Sequence, residues 1–192
     1  MPIASEISIG MRLFCTAEAS LVPGTILQKN PHGLNVLKQV VLGIDAQHQV
    51  ITPAPALTGH ALYELAFEVT RLREFAHLPS RLNCLFFWQN QEQAKNFFIA
   101  KWQSERSHQA RAIIGAPPLP WSPGLYEVEV LECSRAYVAN MDLISYFEPE
   151  DTLALMFERA RRYWSSKPGD LIAAAEVLLE GTVRVVNVLE AA

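Results

Sequence analysis

Apolar residues recur along the chain with two periods. Between 61 and 76, Leu62, Leu65, Ala66, Val69, Leu72, Phe75 and Ala76 are spaced by threes and fours, with Glu64, Glu68, Arg71 and Glu74 on or near the wet side. That is the period of an amphipathic helix. Pro79 predicts its end, because the residue before a proline avoids the helical region. The same spacing predicts a helix over about 91–104, with Ala94, Phe97, Phe98 and Trp102 inward. Asn90 would cap it, and Gln93 would complete a capping box. A third helix is predicted from Pro149 to Trp164, its stripe being Leu153, Met156, Phe157, Ala160 and Tyr163 or Trp164.

The second period is that of strands. Residues 11–16 read as a short first strand, followed by a Pro23-Gly24 turn and a resumed extended path at Thr25. Cys84 to Trp88 is a continuous apolar run, which predicts a strand buried on both faces. Tyr126, Val128 and Val130 alternate with Glu127 and Glu129, the pattern of a half-exposed strand. Arg135 to Met141 is its expected neighbour. The tail from Ala174 to Leu189 is increasingly β-branched, with Gly181 expected at a bulge or turn. Prolines and glycines break up residues 28–59, an irregular stretch of the kind used as a binding loop or lid, and within it Asn35–Ile44 fits either a helix or a strand. The proline-rich 115–124 reads as a surface connection, and Pro168-Gly169-Asp170 closes the third helical region. Strands clustered around three helices predict an α+β fold: a single domain over residues 1–192, with two small packed β-sheets flanked by helices.

Composition narrows the function. Half of the 192 residues are apolar, enough to offset chain entropy without a metal or disulfide staple. The net charge of −4 argues against general nucleic-acid affinity, which counterion release ties to the opposite sign. Cys15, Cys84 and Cys133 form no metal or redox spacing, so reduced thiols are expected. No apolar run approaches a membrane span, and Met1–Gly10 lacks the basic region and apolar core of a signal peptide. A soluble cytoplasmic protein is the expectation, unless it is exported by a secretion system that needs no signal peptide.

The standard catalytic signatures are missing, and His32, His48, His60, His77 and His108 are scattered. Three other places attract attention. Arg81 and Asn83 arrive at the start of the buried Cys84–Trp88 strand. An arginine there either offers a planar fork to phosphate or carboxylate, or bonds helix-end carbonyls. Glu176 and Glu180 share one face of the tail strand about 13 Å apart, too far to flank one bond as a glycosidase pair. A glutamate on so apolar a strand needs a cation or a ligand hydroxyl to answer it, or else solvent at a sheet edge. Tyr163 and Trp164 close the last helix, where they serve as core or as a stacking surface. Arg159, Arg161 and Arg162 on that helix read as a solvated basic face.

Together these blocks resemble the ADP-ribosyltransferase-like fold, and more narrowly the small uncharacterised bacterial domains grouped with it. Leu13-Phe14-Cys15-Thr16, followed by Ser20 to Leu27, resembles the opening strand and its connection. Pro79 to Trp88, with the helix carrying Ala94 and Phe97, resembles the strand and helix lining a nicotinamide pocket. Ala175 to Gly181 resembles the late strand that supplies a catalytic glutamate. The resemblance implies NAD as substrate and Glu176 as the acid that stabilises an oxocarbenium-like ribose. It further implies that Arg81 holds a phosphate and that Asn83 supports the strand or nicotinamide. Phe87 or Tyr163 would stack on the departing ring, and Cys15 and Thr16 would lie along the dinucleotide. Cys15 stands where the family usually has arginine or histidine, and Asn83-Cys84 where it usually has serine or tyrosine. Either Arg12 or Arg81 compensates, or NAD affinity has been lost.

Two functions follow. One is NAD-dependent ADP-ribosylation of a macromolecular target, as in a bacterial effector or toxin. The other is a non-catalytic binding or immunity-type module that keeps the fold without the reaction. Neither predicts an oligomeric state.

Overall fold

The structure is a computed structural model. It describes residues 6–17, 20–28, 55–100, 123–145, 151–166 and 175–191, with side chains from Leu62 onward in the first helix. Asn35–Ile44 and nearly all of the irregular 28–59 stretch, the 115–122 connection, Trp102, Pro149, Pro168-Gly169-Asp170, His32, His48, His108 and the side chain of His60 lie outside the described residues. The described elements are α+β.

Strands β1 (Arg12–Ala17), β2 (Ile26–Leu27), β3 (Leu85–Phe87), β4 (Gly124–Asn140) and β5 (Ala175–Ala191) form one antiparallel sheet, not two. Its backbone is a β4–β5 ribbon of two 17-residue strands, which unites the two strands expected over 125–141. β1 pairs with the outer edge of β4, while β3 and β2 follow one another along the far edge of β5. Phe14 and Trp88 then exchange both backbone hydrogen bonds, at 2.9 and 2.8 Å. The neighbours therefore run β1–β4–β5–β3 and return to β1. The ribbon can curl this far because its register slips at four places, with extra residues at Leu131 and Ser134 on β4 and at Val186 and Leu189 on β5. Such bulges bend and twist a ladder. One curled sheet thus covers both sides of the core that two sheets were expected to enclose.

Gly181 is required by that curl. A Cβ at this position would lie 2.0 Å from the carbonyl oxygen of Glu132, in the strand opposite the Ser134 bulge. Gly24 supports the Pro23-Gly24 turn with a positive φ of 92°, and Thr25 N–H donates to Val22 O at 3.0 Å.

Inside the curl, Leu13, Cys15, Leu85, Phe87, Tyr126, Val128, Val130, Val177, Leu179, Val183 and Val185 form one buried cluster. The expected alternation of β4 therefore holds. Outside, helix α2 (91–100) lays Ala94 and Phe98 against Trp88 and Leu125, with Phe97 half-buried beside them. Asn90 caps it, its Oδ1 accepting from Glu92 N–H at 2.8 Å. On the other outer face, helices α1 (Pro55–Glu74) and α4 (Leu153–Trp164) pack Tyr63, Phe67, Met156, Ala160, Tyr163 and Trp164 onto Leu178 and Ala139. A one-turn helix, α3 (Asp142–Ser145), follows β4.

The face that α1 buries differs from its leucine stripe. Leu62, Leu65 and Leu72 are 44%, 48% and 58% exposed, whereas Tyr63, Glu64, Ala66, Phe67, Thr70 and Arg71 are buried. Two aromatic rings bury more apolar area than the leucines they displace, and ion pairs bring the charged neighbours in. Leu153 is likewise exposed at the start of α4. Among the described residues, no helix is long and apolar enough to cross a membrane.

Candidate functional site

A turn tied down on both sides carries Arg81. Arg71, in the last turns of α1, is bidentate on Glu68 at 2.7 and 3.0 Å and donates to the Leu78 carbonyl at 3.1 Å. Ser80 Oγ donates to the same Glu68 at 3.0 Å, while Ser80 N–H donates to Glu180 on β5 at 2.8 Å. The Ser80 carbonyl then accepts from Asn83 and Cys84 N–H, closing the turn. Held in this way, Arg81 points beneath the helices rather than into solvent.

There it meets three elements at once. Its Nη1 lies 2.5 Å from Glu176 Oε1, near the start of β5, and 2.7 Å from the Tyr163 hydroxyl at the end of α4. Its Nε and Nη2 hold both oxygens of Glu64 on α1, at 3.2 and 3.1 Å. Tyr163 in turn donates to Glu176 at 2.7 Å. The guanidinium also lies 5.0–5.9 Å from the ring centres of Phe86, Tyr163 and Phe67. Glu176, Arg81 and Glu64 are only 4%, 7% and 7% exposed. Burial opposes the Arg81 charge, but the Glu176 and Glu64 carboxylates outweigh it and hold the guanidinium well above its ordinary pKa. Burial likewise pushes the Tyr163 phenol well up, against the pull of Arg81, so it stays a donor.

The expected site residues separate into three groups. Arg81, Tyr163 and Glu176 converge from far apart in sequence. Cys15 and Phe87 lie in the inner cluster, 5% and 1% exposed, and a ligand ring would have to enter the core to stack on Phe87. Burial raises the Cys15 thiol to about 12. Thr16 sits half-buried on β1, and Asn83 is exposed. The helical spacing puts Glu64 on or near the wet side, yet it supplies the second carboxylate of the cluster. Its signal was the polar series Glu64, Glu68 and Arg71 at helical spacing beside Tyr63 and Phe67.

A separate polar groove of about 600 Å³ opens where β5 passes from its pairing with β3 to its pairing with β2. Glu180, Gly181 and Thr182 form its floor, Glu132 and Ser134 one wall, and Asn83 and Gln28 flank it. Thr182 Oγ1 donates to Glu132 at 2.7 Å, and Ser134 Oγ donates to the Glu180 carbonyl at 2.7 Å. Arg135 Nε lies 3.3 Å from Glu180.

Against known families, residues 32–191 match the one described as "Protein of unknown function (DUF2441)". The chain belongs to the DUF2441 family. No curated protein matches it. The DUF2441 region takes in α1, β3, β4, α4 and β5, and with them the whole Arg81 cluster and all of the groove lining except Gln28. β1 and β2 precede it.

Proposed function

We propose that this DUF2441 chain is a non-catalytic binding module, the reading in which an ADP-ribosyltransferase-like architecture is kept without NAD chemistry. The observation that carries it is the enclosure of Arg81 and Glu176. For ribose cleavage, the acid must reach sugar hydroxyls and a cation must reach the diphosphate. Here Glu176 and Arg81 hold each other under two helices, with Glu64 and Tyr163 completing the shell. Removing one partner of such a buried pair costs about 3–5 kcal/mol, which a dinucleotide would have to supply before any catalysis. Cys15 supports the same reading: a buried thiol with a raised pKa is no substitute for a cationic anchor. The cytoplasmic location read from the sequence belongs to this proposal.

A second reading, NAD-dependent ADP-ribosyl transfer to a macromolecule, is favoured by one observation. An arginine and a glutamate 95 residues apart in sequence meet at 2.5 Å, the two residues that the resemblance marks for phosphate and ribose.

Calorimetric titration with NAD, together with a nicotinamide-release assay, separates the two. The binding module gives no heat, no thermal stabilisation by NAD and no nicotinamide. Stabilisation by NAD, with nicotinamide release that Glu176→Gln abolishes, would establish the second reading and overturn the first.

A further inference from the structure

The polar groove between β2 and β3 has a one-sided hydrogen-bonding inventory. A hydroxyl has one proton to give and two lone pairs to accept with. Thr182 has already given its proton to Glu132, and Ser134 has given its own to the Glu180 carbonyl. Both therefore face the groove as acceptors. Glu132 and Glu180 add carboxylate oxygens, so among the described lining side chains the donors are the amides of Asn83 and Gln28. Arg135, next to the groove's Ser134, is held by Glu180 and donates to the Ala76 carbonyl at 3.4 Å. Among the described residues, the lining holds no aromatic ring and no basic side chain.

We infer that this groove binds a neutral, polyhydroxylated ligand, a sugar unit, and rejects phosphorylated ones. Adjacent hydroxyls on a sugar ring are paired donors, the partner that a wall of carboxylate and hydroxyl lone pairs lacks. The two amides, which both donate and accept, then bind the ring's remaining oxygens. A phosphate would face two carboxylates, with the Arg135 guanidinium beside them already held by Glu180 and the Ala76 carbonyl. A nucleobase would find no ring to stack on among the described lining residues. The volume of about 600 Å³ lies within the usual range for small-ligand sites and suits one or two sugar rings. The floor is rigid, because Gly181 packs against the Glu132 backbone and Glu180 is held from two sides. Such a site is largely formed before its ligand arrives.

This inference rests on the binding-module reading for its meaning, but its readout is different. Nicotinamide release reports on that reading, and groove occupancy reports on this one. The experiment is saturation-transfer and chemical-shift NMR of the whole chain with ribose, glucose and cellobiose, and with ADP-ribose as the anionic control. At least one of the neutral sugars is expected to shift the amides of Asn83, Gly181 and Thr182. Cellobiose binding more tightly than glucose would mark a glycan chain as the source, and equal binding a free sugar. Asn83→Ala and Glu132→Gln, both at exposed positions, should each weaken binding about fivefold, the effect of losing one hydrogen bond. ADP-ribose should bind no better than ribose. The inference is overturned if no neutral sugar shifts these amides at tens of millimolar, if both variants bind like the parent, or if ADP-ribose binds at least tenfold more tightly than ribose.

Discussion

Arg81 Nη1 stands 2.5 Å from Glu176 Oε1, and the same guanidinium grips Glu64 with its other two nitrogens. One cation thus answers two buried carboxylates that reach it from a helix and a strand. Arg81→Met leaves both acids without their counter-charge and should cost about 3–5 kcal/mol. A triple variant, Arg81→Met with Glu64→Gln and Glu176→Gln, removes the stranded charges and should lose less than the single substitution. Urea unfolding of the two variants measures the difference. Equal losses would mean that the cluster matters for its packing and not for its charge.

The two faces of α1 make a sharper contrast than their sequence suggests. Phe67 is 1% exposed and meets Tyr163 edge-on at 5.0 Å, while Leu65, two residues away, is 48% exposed. Phe67→Ala should cost about 3–5 kcal/mol, whereas Leu65→Ala should stay within about 0.5 kcal/mol. Denaturant midpoints of the two variants check this. A larger loss for Leu65→Ala would return the leucine stripe to the core.

That contrast also shows how far the fold and site can be read from sequence. The elements themselves were legible: the β4 alternation, the Cys84–Trp88 run, the Asn90 cap and the Met156-Ala160-Tyr163 stripe all depend on neighbours close in the chain. What periodicity could not supply was which face of α1 turns inward. Counting Glu64 and Arg71 as wet assumes that charge seeks water, and here Arg81 and Glu68 give those charges partners inside. The union of the strands expected over 125–141 was hidden for a similar reason, since bulges at Leu131 and Ser134 break the alternation without ending the strand. In the site, Arg81 and Glu176 were legible by residue type. Their mutual enclosure was not, because it depends on two helices crossing over them.

Alkaline pH should loosen the fold. Burial raises the Cys15 thiol from 9.0 to about 12. Burial and the Asp151 hydrogen bond raise the Tyr63 phenol from 10.0 to about 12. Between those limits the folded chain keeps protons that the unfolded chain has released. Stability from these groups is therefore complete below about pH 9 and is lost as the pH rises toward about 12. Thermal midpoints should fall steadily over that interval, and Cys15→Ala should flatten the fall. A midpoint that stays level across it would mean that these groups keep their ordinary values.

Gly181→Ala tests the curl of the ribbon. The added methyl would meet the Glu132 carbonyl oxygen at 2.0 Å, and backbone rather than a side-chain tip would have to move. A loss of about 1–3 kcal/mol is expected. Ala at this site should also perturb the amide shifts of Cys133, its cross-strand partner, and of Thr182, its neighbour in the chain.

Closure of the sheet through Phe14 and Trp88 sets an order of events during synthesis. β1 carries Leu13 and Cys15 into the core, yet the edge it needs belongs to β4, made about a hundred residues later. Contacts so distant in sequence form slowly, since a long loop must close before they can contribute. β1 therefore waits for β4, as β2 and β3 wait for β5, and until then its apolar side chains stay wet and open to association with other nascent chains.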